Sequence, residues 1–234
     1  MLNGHVRIGS LLYYRKIEEE SRNDRNEGFR SYFIEGKKDV GRKIEAGEFN
    51  KVAALAGSNI RFNTDRPNPL ALQMRGGGKF TFDSDINLFV FCATIEDEPN
   101  PSLNKKFGAH KIHVFDPDRF KDLVRNELLN LILHKRSIKL PGKADSISAT
   151  HHEVLYRDKP AVNVDDVRED LEHPALNTDD VFIKPQNEGF EEECEYRFCW
   201  IPSDNPTGTM CNLPTGFKFI DLEIPDIKSA IRKI

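Results

Sequence analysis

The sequence predicts an α+β fold: a single domain over residues 1–234, built on a mixed or mostly antiparallel sheet with two or three helices. Three observations carry this. Short segments with period-two alternation, or short continuous apolar runs, recur along the chain between turn-forming stretches. One central segment has a clear helical period with cap chemistry at its start. The length of 234 residues, 38% of them hydrophobic, is enough to bury a substantial core.

Taken in order, "HVRIGSLLYY" (5–14) reads as a strand, with Val6, Ile8 and Ser10 alternating against Arg7 and Gly9. A charged loop, "RKIEEESRNDRNEG", follows, and "FRSYFIEG" (29–36) alternates as a second strand. "EAGEFNKVAALA" (45–56) suggests a short helix ending at Gly57. "IRFN" and "KFTF" read as strands flanking "TDRPNPLALQMRGGG", whose Pro and Gly mark a loop. "INLFVFCAT" (86–94) is a continuous apolar run, expected as a buried central strand. "HKIHVF" (110–115) is a further strand. In "DPDRFKDLVRNELLNLILHK", Asp116 caps a helix and Pro117 takes its first position. Phe120, Leu123, Val124, Leu128 and Leu131 line one face. Residues 137–151 read as a connector, "EVLYR" (153–157) as a strand, and the acidic stretch 158–180 as exposed. "VFIKP", "CEYRFCWI" and "FKFIDLEI" close the chain as strands before a short basic tail.

Composition narrows the function classes. A net charge of -4 argues against a general nucleic-acid coat but leaves room for a local basic groove. No apolar run approaches the ~20 residues of a membrane span, and the start lacks the layout of a signal peptide. Four Cys without framework spacing fit a reducing cytoplasm.

The densest signal is "GFEEECEYRFCW" (189–200). As a strand it places Cys194, Tyr196, Phe198 and Trp200 on a core face, with Glu193, Glu195, Arg197 and Cys199 opposite. Glu193 and Glu195 are then roughly 7 Å apart. Two such carboxylates beside an Arg can hold a ligand's hydroxyls or stabilise positive charge developing at a sugar carbon. They also suit a solvated face carrying an i, i+2 ion pair. Glu191 and Glu192 read as loop charges. Near the start, Arg7, Ser10, Tyr13, Tyr14 and Arg15 interleave aromatics with cations. That pattern can stack on a planar base and hold phosphates, and it equally suits an ordinary hairpin. "MRGGGKF" (74–80) lacks phosphate-loop spacing and reads as a turn. No metal site is expected: "HKIH" and "THHE" are weak, and Cys194 and Cys199 fall on opposite faces.

Three blocks, "VRIGSLLYYRKIE", "LFVFCATIED" and "VFIKPQNEGFEEECEYRF", are together similar to a family of uncharacterised bacterial and phage proteins with a late E-x-E-x-R strand. That layout resembles the ADP-ribosyltransferase superfamily. The resemblance implies that Glu195 is the catalytic glutamate contacting the nicotinamide ribose of NAD, with Glu193 two residues earlier. It implies Thr94 as the middle motif, Arg7 or His5 as the early cofactor contact, and Tyr13 or Tyr14 as stacking partners. Ser10 and Arg197 would share the cleft. Here "CAT" stands where the superfamily has Ser-Thr-Ser.

The leading expectation is therefore an NAD-dependent ADP-ribosyltransferase or NAD glycohydrolase, an effector of a toxin or phage-defence system. It would be cytoplasmic, use NAD as substrate without a metal, and act on a protein or nucleic-acid acceptor. A neutralising partner protein is expected, and no membrane. Two alternatives stay open. One is a non-catalytic nucleotide- or nucleic-acid-binding module depending on Arg7, Arg15 and Arg75. The other is a protein-interaction protein whose charges are scattered over the surface.

Overall fold

The computed structural model describes residues 4–22, 29–35, 42–47, 50, 72–74, 79–95, 112–135, 138, 140, 144–157, 162–163, 181–184, 193–204 and 209–233. In chain order these form β1 (His5–Ser10), α1 (Leu11–Arg22), β2 (Phe29–Glu35), β3 (Arg42–Ile44), β4 (Leu72–Met74) and β5 (Lys79–Asp85). Next come β6 (Phe89–Thr94), β7 (Ile112–Val114), α2 (Pro117–Asn130), β8 (Ser146–Glu153), β9 (Leu155–Tyr156) and β10 (Val162–Asn163). β11 (Ile183–Lys184), β12 (Glu195–Asp204), β13 (Thr209–Met210), β14 (Phe219–Glu223) and β15 (Ile231–Lys233) complete the chain. The class is α+β, with antiparallel pairing throughout its main sheet.

The chain divides into two compact units. One comprises Met1–Arg25, Asn87–Arg157 and Lys184–Ile234, and the other Asn26–Ile86 and Asp158–Ile183. The second unit contains β2 paired antiparallel with β5 and parallel with β10, and a separate β3–β4 pair. Ile44, Ala46, Ile86, Val181, Phe182 and Ile183 are buried there.

The first unit is built on a six-stranded sheet in the order β13-β12-β6-β1-β14, with β8 added along the other edge of β12. Register assigns its faces. Val6 opposes Leu222, Ile8 opposes Ile220, and Phe198 lies between Phe91 and His151. Val6, Ile8, Phe198 and Leu222 meet Phe120, Val124 and Leu128 of α2 in one apolar cluster, with Phe91 and Ile220 packed against it. Phe120 packs 4.9 Å from Phe198 and 5.1 Å from Phe91, ring centre to ring centre. The Trp200 indole N–H donates to the Lys121 carbonyl at 2.9 Å, so burying the large ring leaves no polar atom stranded. The helix starts as its sequence requires: Asp116 accepts from the Arg119 N–H at 3.0 Å, and Pro117 follows the cap.

Several local expectations are corrected. The first strand stops at Ser10, because the Ser10 hydroxyl accepts from the Tyr13 N–H at 3.2 Å and caps α1. The side-chain Oδ1 of buried Asn87 accepts from the Leu12 N–H at 3.1 Å and secures the same turn. Residues 11–14 are therefore helix rather than strand, and 15–22 helix rather than loop. Leu72–Met74 pairs with Arg42–Ile44 where a loop was expected. The supposed connector holds β8, whose register runs from Ser146 opposite Ser203 to Glu153 opposite Tyr196. The basic tail forms a 3-10 turn at Pro225–Ser229 and then β15, which pairs with β7. Most of the suggested helix 45–56, together with "IRFN" and the triple-glycine turn, lies outside the described residues.

Candidate functional site

The face of the sheet opposite α2 carries the polar residues. Register places Glu195 opposite Thr94, Arg197 opposite Cys92, Cys199 opposite Val90, Val90 opposite Gly9, and Gly9 opposite Phe219. Directly opposed residues share a face. Glu195, Arg197, Thr94 and Cys92 therefore occupy the same side as Gly9, Arg7 and Phe219.

At one end of this face is a buried ion cluster. The Arg197 guanidinium donates to Glu195 from Nε to Oε1 at 2.6 Å and from Nη2 to Oε2 at 3.1 Å. Lys184 Nζ lies 2.8 Å from Glu195 Oε2 and 3.5 Å from Glu193 Oε2. Side-chain exposure is 0% for Lys184, 1% for Arg197, 7% for Glu195 and 12% for Glu193. Two cations and two carboxylates balance one another, as buried charges require. Burial pushes the Glu195 carboxyl up, but the charges of Arg197 and Lys184 pull it further down, to about 2. Glu195 is a fixed anion at every physiological pH.

Two tyrosines border the cluster. The Tyr156 hydroxyl accepts from the Glu195 backbone N–H at 3.1 Å. Burial raises its pKa, against the opposing pull of the hydrogen bond from the Glu195 backbone N–H. Tyr14 lies over Gly9: a Cβ on Gly9 would stand 2.4 Å from the Tyr14 ring. Glycine here makes room for the aromatic ring on the sheet. Burial drives the Tyr14 phenol well above its usual range, and Cys92 and Glu195 raise it further.

At the opposite end of the face, Arg7 binds Asp221 through Nε at 2.7 Å and Nη2 at 2.8 Å. Its guanidinium lies 4.1 Å over the Phe219 ring. Both ends of the ion pair are exposed. Tyr13 approaches Phe219 at 6.0 Å and Tyr14 at 6.1 Å.

The expected row from Glu193 to Arg197 is changed in three ways. The strand begins at Glu195. Cys194 has a left-handed backbone (φ 42°) and is exposed, so it is not a core residue. Glu193 therefore precedes the strand, although it reaches the same lysine as Glu195. The i, i+2 pairing of Glu195 with Arg197 is present, but buried rather than solvated. Thr94 is brought to Glu195, and Tyr14 near it. Arg7 and Tyr13 gather around Phe219 on β14. Ser10 is fully buried and its hydroxyl is occupied, capping α1 and donating to the Phe217 carbonyl at 2.7 Å. Arg15 is buried, and Arg75 lies outside the described residues.

Tyr156 and Phe219 were not singled out from sequence, and Lys184 entered only as the lysine that precedes the two glutamates in the block "VFIKPQNEGFEEECEYRF". Among the described residues, no three His, Cys, Asp or Glu side chains are grouped to hold a metal, and no helix is long and apolar enough to cross a membrane. No protein-family model, curated protein or solved structure matches the chain.

Proposed function

We propose that this protein cleaves the nicotinamide–ribose bond of NAD, as an ADP-ribosyltransferase or NAD glycohydrolase, with Glu195 as the carboxylate at the reacting sugar. The observation that carries the reading is that Glu195 is held anionic at the margin of the sheet. Among the described residues, its Oε1 receives one hydrogen bond, from Arg197, while Oε2 receives Arg197 and Lys184. A carboxylate oxygen has two lone pairs, so Oε1 can accept one further donor, such as a ribose hydroxyl. As nicotinamide leaves with the bonding electrons, positive charge grows on the ribose carbon, and a pre-positioned anion in a dry site stabilises it. Water or an acceptor hydroxyl on protein or nucleic acid then bonds to that carbon and gives its proton to solvent. Tyr14 and Thr94, on the same face, would border the sugar. The setting in a toxin or phage-defence system rests on the resemblance of the motifs alone.

A second reading has its own observation. Lys184, Arg197 and the two glutamates satisfy one another almost completely out of solvent. Such a cluster also suits a non-catalytic nucleotide-binding or protein-interaction protein, in which it only locks the strand. Nicotinamide release from NAD by the purified chain separates the two readings, comparing wild type with Glu195→Gln and following the fold by circular dichroism. The enzymatic reading expects release that is lost in a folded variant. Equal release by both proteins, or none from wild type with lysate supplied as acceptor, leaves the structural reading in its place.

A further inference from the structure

The end of the sheet face away from Glu195 has no assigned task beyond the general expectation that Arg7 touches a cofactor. Its chemistry is specific. Asp221 holds Arg7 through two hydrogen bonds, at 2.7 and 2.8 Å, which fixes the guanidinium plane as well as its position. One side of that plane rests on Phe219 at 4.1 Å. The arginine side chain is nevertheless 60% exposed, and Phe219 is 40% exposed. The charge of Arg7 is already matched by Asp221, so the pair is poorly suited to hold a phosphate. A flat, rigid and weakly hydrated cation on an aromatic ring instead favours another flat π-system on its outer side.

We propose that Arg7, clamped by Asp221 on Phe219, is a stacking platform for the planar base of a nucleotide. The inference deepens the NAD reading and rests on it for the identity of the ligand: the base stacks at Arg7 while the far ribose lies at Glu195. Register supports that span. Gly9 opposes Val90, so Arg7, two residues along, is level with Cys92, which opposes Arg197, itself two residues from Glu195. Two strand spacings and two residues along the strand separate Arg7 from Glu195 by about 12 Å. That separation is commensurate with an extended dinucleotide. Tyr13 and Tyr14 continue the aromatic surface between the two ends. The assignment gives the cofactor contact expected of Arg7 a specific form, a plane that carries a base.

The test is calorimetric titration of the full chain with AMP, which has the base but no scissile nicotinamide bond. Phe219→Ala and Arg7→Lys should each weaken AMP binding by roughly 5- to 100-fold, the range that loss of one base stack produces. Phe219→Trp should restore it. Arg232 lies 5.9 Å from the Phe115 ring without comparable clamping, so Arg232→Ala should leave AMP affinity unchanged. The substituted platform positions are exposed, so the variants should fold, which thermal melts confirm. Absence of AMP binding to wild type, or unchanged affinity in Phe219→Ala, overturns the platform. AMP binding that depends on Phe219, without nicotinamide release from NAD, upholds the platform and removes the cleavage reading. Nicotinamide release whose KM ignores Phe219→Ala removes the platform and leaves cleavage standing.

Discussion

The same six-stranded sheet carries two arginine–carboxylate pairs of nearly equal geometry and opposite surroundings. Arg197 meets Glu195 at 2.6 Å with almost no solvent contact, and Arg7 meets Asp221 at 2.7 Å with both side chains more than half exposed. Distance alone would rank them as equivalent. Solvent decides otherwise. In the buried pair, both partners have lost their hydration: Arg197 depends on Glu195, and Glu195 on Arg197 and Lys184. In the exposed pair, water and salt screen the attraction, and what remains is orientation: a guanidinium held flat on a ring. The first pair fixes a charge; the second presents a surface.

Removing one partner of each pair tests this contrast. The largest effect is expected for Arg197→Ala, which leaves Glu195 buried with Lys184 alone. Chemical denaturation should show a loss of about 3–5 kcal/mol, as for other broken buried pairs. A loss below about 1 kcal/mol would mean that water enters the cluster and that its burial does not govern its strength.

Acid gives an intermediate effect. The folded Glu195 carboxyl lies near 2, below its value of about 4.3 in an unfolded chain. Between these values the unfolded state binds more protons, so stability must rise with pH. The contribution of Glu195 is fully present above the unfolded value and is lost as pH falls through that window toward 2. Urea midpoints measured from pH 6 down to pH 3 should fall more steeply for wild type than for Glu195→Gln. Parallel curves would place the acid sensitivity elsewhere. The smallest effect is expected for Asp221→Asn, which should leave the thermal midpoint at pH 7 within experimental error. A clear drop there would show that the exposed pair also supports the fold.

Much of the scaffold was legible from local patterning. α2 announced itself through Asp116, Pro117 and the spacing of Phe120, Val124 and Leu128, because cap and period lie within one helix. The apolar run at β6 and the alternation of Tyr196, Phe198 and Trp200 likewise identified strands that form the core. α1 was misread because Val6, Ile8 and Ser10 alternate up to the very residue that caps the helix. Asn87, which helps hold that turn, is 75 positions from the N–H it accepts.

By itself, then, the sequence determined the α+β class, the central helix, the main strands and the adjacency of Glu195 to Arg197, since two residues apart in a strand share a face. Only the tertiary structure decided that this adjacency would be buried and would include Lys184 and Tyr156, or that Arg7 would lie on Phe219. Those partners are brought together by antiparallel pairing between distant segments. Burial belongs to the assembled sheet, so no local pattern of charges could distinguish a solvated row from a desolvated cluster.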